Sequence, residues 1–140
     1  MPEDERTAGD LPPEAVVIRG AKMTSQNLFE NALSTRDEET EWALCVASYP
    51  DMEADEIAHE MPYRGRYINV ATVGDLRNTG FEVVPHYDPE GGYVHALLKL
   101  PVDPFEEPSE EEWERIWDEL RECFEPTREN PAYGLGGERS

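Results

Sequence analysis

The sequence predicts a single α+β domain: a mixed sheet of about five strands with a hairpin toward the C-terminal end, packed by three to four helices. Three observations carry this expectation. Runs rich in β-branched and aromatic residues alternate with segments of helical periodicity, in the order β-α-β-α-β-α-β-β-α. Two helix starts carry side chains able to cap them, Thr72 and Ser109. Between Gly65 and Pro101 three strand-like runs surround one short helix and one Gly/Pro-rich turn.

The elements follow in chain order. Residues 1–13 are charged and proline-bearing, with almost no large apolar side chains, and read as a flexible acidic arm. Residues 15–19 form a first strand ended by Gly20. Thr24 or Ser25 then caps a helix to about Leu33, with Leu28/Ala32 and Phe29/Leu33 as i, i+4 pairs. Residues 34–41 read as a solvated loop. Residues 42–49 form a second strand, with Trp42, Leu44 and Val46 on one face and Ala43, Cys45 and Ala47 on the other. Apolar or small residues on both faces predict a central strand covered on both sides. A second helix runs from Asp51 to about Met61, its stripe made by Ala54, Ile57, Ala58 and Met61.

Residues 67–71 read as a strand, Thr72 as a cap bonded to the amide of Asp75, and Gly80 as a left-handed helix end. Residues 81–87 and 93–100 then pair as an antiparallel hairpin around the turn 88–92. Pro85 confines the first of them to an edge. After a proline-punctuated linker, Ser109 and Glu112 form a capping box. Trp113, Ile116, Trp117, Leu120 and Phe124 make the apolar stripe of the last helix, which Pro126 ends. The core domain is thus 14–125, and 126–140 reads as a loose C-terminal tail.

Composition narrows function. The 140 residues carry a formal charge of −20. Residues 1–14 hold five acids and one base, residues 15–102 fourteen and seven, and residues 103–140 thirteen and four, so the excess lies in the flanks. This balance argues against a nucleic-acid or anionic-membrane surface, because phosphate contacts need Lys and Arg. No run approaches the ~18 apolar residues of a membrane span, and the acidic start lacks the features of a signal peptide. Two cysteines without metal spacing fit a reducing, cytoplasmic setting. Arginine outnumbers lysine, as in a GC-rich bacterial or phage genome.

Four groups of residues can carry chemistry. His86 and His95 flank the hairpin turn and, with Asp88 or Glu90, have the ligand types that hold zinc or iron; two half-exposed strand histidines are the plainer alternative. His59 falls on the polar side of its helix. Arg64-Gly65-Arg66, set between Tyr63 and Tyr67, is the one basic knot, suited to a phosphate or simply offsetting nearby acids, and Arg64 and Arg66 join the acidic helix as expected partner-binding residues. On the last helix Glu111, Glu114, Asp118 and Glu122 line the exposed side. They are either a surface that neutralises a basic partner or a solvated face.

Arg19-Gly20 at a strand end, followed by Ser48 ending the next strand and Glu82 opening a later one, resembles the residue order of ADP-ribosyltransferase-type folds. The resemblance implies that Arg19 holds dinucleotide phosphates and Glu82 is catalytic. Ser48 lacks a Ser-Thr-Ser context, and Glu82 has no neighbouring Gln or Glu. No P-loop, dinucleotide fingerprint or nucleophile elbow is present, so no cofactor is expected. The leading expectation is therefore a small acidic, non-enzymatic protein that binds a basic protein partner, as antitoxins, immunity proteins and phage inhibitors do. An ADP-ribosyltransferase-like enzyme and a metal-binding hairpin are the alternatives.

Overall fold

A computed structural model describes residues 11–20, 22–39, 41–50, 52–60, 65–85, 95–103 and 105–133. They form one α+β domain. Its strands are β1 (Val16–Gly20), β2 (Ala43–Ser48), β3 (Tyr67–Thr72), β4 (Glu82–Pro85), β5 (His95–Lys99) and β6 (Arg128–Glu129). Its helices are α1 (Ser25–Glu39), α2 (Ala54–Glu60), α3 (Val73–Thr79) and α4 (Glu110–Cys123).

The strands make one sheet in the order β4-β5-β2-β1-β3-β6, and every pairing is antiparallel. The mixed sheet expected from sequence is corrected here. A strand-helix-strand unit gives parallel neighbours only if the chain crosses over the sheet; here β2 and β3 instead flank β1 on its two sides, both antiparallel to it. The hairpin is present, with Val83 opposite Leu98 and Pro85 opposite Ala96. Pro85 lies on the edge strand, where a missing N–H costs no ladder bond.

Two cores sit on the two faces. The larger joins Val17, Leu44, Val46, Ala71, Val83, Ala96 and Leu98 of the sheet to Leu28 and Ala32 of α1, Val73 and Leu76 of α3, and the apolar stripe of α4. The smaller packs Ile57 and Ala58 of α2 on Ile18, Ala47, Ile68 and Val70. The alternation read along 42–49 is the reason β2 contributes to both cores.

Local caps form as their chemistry dictates. Thr72 Oγ1 accepts from Asp75 N at 3.2 Å, and Gly80 ends α3 at φ 112°, where a Cβ would strain the backbone. Ser109 and Glu112 satisfy each other's amides at 3.2 Å. Helix α1 runs on to Glu39, through residues expected as a loop. Thr35 is buried and bonds the Asn31 carbonyl, and the Arg36 guanidinium lies 5.0 Å from the Trp42 ring centre. Tertiary contacts thus hold helical a segment whose composition looks solvated.

Both flanks dock. Leu11 is buried in the larger core, its carbonyl accepts from Arg77, and Gly74 N donates to Pro13 O at 2.8 Å. A Cβ at Gly74 would meet the Pro13 carbonyl oxygen at 3.1 Å, tighter than ordinary contact, so glycine eases this approach. Beyond α4, where sequence suggests a loose tail, β6 pairs with β3 and Asn130 and Ala132 are buried. The Asn130 amide donates to Gly65 O at 2.8 Å, and its Oδ1 accepts from Ala132 N.

Helix α4 is held by an aromatic stack. Trp113 and Trp117 lie parallel with centroids 5.0 Å apart, and Trp42 meets Trp113 edge-on at 5.0 Å. Trp117→Ala is expected to lower unfolding free energy by about 3–5 kcal/mol in a urea titration. Ser109→Ala, which removes only the cap, is expected to cost about 1 kcal/mol.

Candidate functional site

Helices α1, α4 and α3 lie on the larger core's side of the sheet, and α4 contacts both of the others. Because its Trp113, Ile116, Trp117 and Leu120 point inward, the helical repeat turns Glu111, Glu114, Asp118 and Glu122 outward, and all four are exposed. Asp118 pairs with Arg121 at 2.8 Å, and Glu114 accepts from Ser25 Oγ at 3.0 Å. Glu111 and Glu122 make no ion pair among the described residues.

Between α1 and α4 runs a groove of about 400 Å³. Phe29, Trp113 and Trp117 form its apolar wall, and Glu107, Glu110 and Glu114 stand at its rim. The Phe29 ring meets Trp113 edge-on at 5.5 Å. Trp113 and Trp117 are buried, so the half-buried Phe29 ring and the groove's carboxylates are what a cation carried on an apolar stem would meet. Phe105, in the linker before α4, is 82% exposed.

A larger cleft of about 710 Å³ opens beyond the N-terminus of α1. Lys22, Arg121, Asn69, Tyr67 and Thr127 supply its polar groups, and Met23, Phe124 and Pro126 its apolar ones. Arg19 is buried behind it and donates to the carbonyls of Gly20 and Lys22, while its own carbonyl accepts from Asn69. Arg121 reaches across to Met23 O at 3.1 Å and ties α4 to the start of α1.

Of the residues of the ADP-ribosyltransferase resemblance, Glu82 stands apart from Arg19 and Ser48, which lie on neighbouring strands. Ser48 is fully buried and donates to Val16 O at 2.7 Å. Glu82 lies on the edge strand β4, with β5 and β2 between it and β1, in an ion pair with Arg77 at 2.7 Å. Along β2, Ser48 stands opposite Val17 whereas Glu82 is level with Ala43, through Lys99. Five residues of strand are about 17 Å.

The other sequence candidates divide. His86, Asp88, Glu90 and Arg64 lie outside the described residues, and His95 opens β5. Among the described residues no three His, Cys, Asp or Glu side chains gather as a metal site requires. Arg66 stacks on Tyr67, with its guanidinium 5.4 Å from the ring centre, and pairs with Glu129 at 3.5 Å, at the β3–β6 edge. His59 is exposed, and its Nδ1 lies 2.8 Å from Asp55 O.

One group was missed by spacing arguments. Cys45 on β2 and His95 on β5 stand one diagonal step apart on the same sheet face, because Cys45 pairs with Leu97 and Ala47 with His95. Burial opposes ionisation of the Cys45 thiol, but it is outweighed: a hydrogen bond with His95 is the largest influence, and bonds with Asn31 and Thr35 add to it, so the thiol titrates below its ordinary range. Cys123 is the reverse case. Burial raises its thiol, and the nearby Asp75, Glu122 and Glu119 carboxylates add to that. No sequence signal pairs Cys45 with His95, since fifty residues separate them.

No family model matches the chain, and neither a curated protein nor a solved structure does. Among the described residues no helix is long and apolar enough to cross a membrane.

Glu82 gives a pH dependence. Burial raises its carboxyl, but the Arg77 guanidinium, the Val83 amide and the Lys99 charge together hold it below its ordinary value. A depressed carboxyl adds stability above its unfolded pKa, and that contribution is lost as pH falls through the folded value. Thermal unfolding of Glu82→Gln is therefore expected to show a lower Tm than wild type at pH 7 and the same Tm near pH 2.

Proposed function

We propose that this chain is a non-enzymatic binding protein that engages a basic protein partner through α4 and the groove beside it. The observation that carries the reading is the pairing of an exposed carboxylate stripe, Glu111, Glu114, Asp118 and Glu122, with an aromatic groove whose rim is also acidic. Charge alone would make a soluble helix. The adjoining groove adds a place for a lysine or arginine side chain, with its methylenes against Phe29 and the tryptophan edges and its cation at Glu107, Glu110 and Glu114.

The partner fits as a compact basic protein or segment, which the stripe attracts at long range and the groove anchors at short range. Such complexes form fast at low salt and weaken as salt screens the encounter. Arg66 is engaged by Glu129 and stands outside this reading.

The test immobilises wild-type protein beside a variant carrying Glu111→Lys, Glu114→Lys, Asp118→Lys and Glu122→Lys, in lysate of the native host. The stripe is exposed, so the variant is expected to keep its fold, checked by circular dichroism. A stoichiometric basic protein should be retained by wild type, released by about 0.5 M salt and absent from the variant. Its retention by both, or release from neither at high salt, overturns the reading.

A further inference from the structure

The hydrogen-bonded pair Cys45–His95 lies on the sheet, away from α4, and the binding function makes no use of it. Its surroundings come from three elements. Strand β2 presents the exposed Cys45 side chain, and β5 brings His95 to it through the register. Helix α1 contributes Thr35, whose Oγ1 is 4.0 Å from Sγ, and Asn31, whose Oδ1 accepts from the Cys45 amide at 3.1 Å. The Asn31 bond has a cause in the topology. The ladder between β1 and β2 pairs only Val17 with Ser48 and Ile18 with Ala47, so Cys45 has no backbone partner on β1 and α1 supplies a side-chain one.

Charged groups also lie on the described part of the sheet. Beyond His95, the next is Lys99 of β5, which pairs with Glu41 at 3.1 Å, and then Glu82 of β4, which pairs with Arg77. Of the helices packed on β2, α1 carries exposed Asp37 and Glu38, and α2 exposed Asp55, Glu56, His59 and Glu60. A thiol beside an imidazole can give up its proton to it, and the resulting thiolate is the nucleophile in sulfur chemistry. Cys45 lines neither the groove nor the cleft. A co-reactant that brings its own leaving group and needs no pocket suits it best, and a small disulfide meets both conditions.

We propose that Cys45 is a redox-modification site, in which the thiol paired with His95 exchanges with low-molecular-weight disulfides to form a mixed disulfide on the sheet face. The Cys45 sulfur attacks one sulfur of the disulfide, forming one S–S bond as the other breaks. The displaced thiolate takes the proton that Cys45 passed to His95, so atoms and electrons balance with no further oxidant. Cys123 is the internal control. Its half-buried sulfur lies within hydrogen-bond range of the carbonyls of Asp75 and Glu119 and the hydroxyl of Thr79, among carboxylates that disfavour the thiolate.

The test treats the native full-length protein with oxidised glutathione and, separately, with limiting iodoacetamide across pH 6–9, reading each cysteine by peptide mass spectrometry. Cys45 should take the single glutathione adduct and be alkylated about tenfold or more faster than Cys123 at pH 7. In His95→Gln the midpoint of the Cys45 rate profile should move up, with rates converging on wild type at pH 9. Equal reactivity of the two cysteines in the wild-type protein overturns the proposal without any variant. So does alkylation of Cys45 with no glutathione adduct, or an unmoved midpoint in a folded His95→Gln.

Discussion

The packing of α4 on Trp42 is the contact on which the rest of the structure depends. Trp42 precedes β2, and its indole N–H donates to Glu106 O at 2.9 Å, pinning the linker that delivers α4. Trp113 then meets Trp42 edge-on and Trp117 stacks on Trp113, so three large rings fill the space above the sheet. Trp42 and Trp117 are the two largest fully buried side chains among the described residues, and aromatic pairs of this geometry add to the area effect.

Consequences run outward from that contact. With the tryptophans facing the sheet, the helical repeat leaves carboxylates facing solvent, and the groove forms where α4 lies beside Phe29 of α1. The direction of α4 also returns the chain to β3. Glu125 N donates to Val70 O, Thr127 bonds Asn69, and β6 adds to the sheet edge. One packing decision thus orients the acidic face, the groove and the C-terminal strand together. That coupling is why a charged surface can be presented rigidly by a chain with a charge of −20.

The sheet shows a second constraint. Strand β1 is short and central, with β2 and β3 both antiparallel to it. The β1–β2 ladder opens after Ile18, and α1 fills the gap with Asn31 and Thr35. The Cys45 side chain is exposed on a strand that is otherwise buried.

What the sequence determined by itself was local. Thr72, Gly80 and the Ser109/Glu112 box form as read, because a cap depends on residues within one turn of each other. The stripe of α4 and the two-faced pattern of β2 were legible for the same reason, since periodicity is a property of neighbours. Strand order, the antiparallel sense throughout and the docking of Leu11 and β6 were not legible. They depend on which distant segments bury surface together, and two faces of similar apolarity admit several arrangements. The extension of α1 through Thr35 and Arg36 followed from contacts with β2 and Trp42 that no local propensity encodes. For the candidate sites, Glu111, Glu114, Asp118 and Glu122 could be read as one face before any fold was known. The separation of Glu82 from Arg19 and Ser48, and the meeting of Cys45 with His95, were decided by strand order and register, because a sheet brings residues fifty apart in sequence to one diagonal step in space.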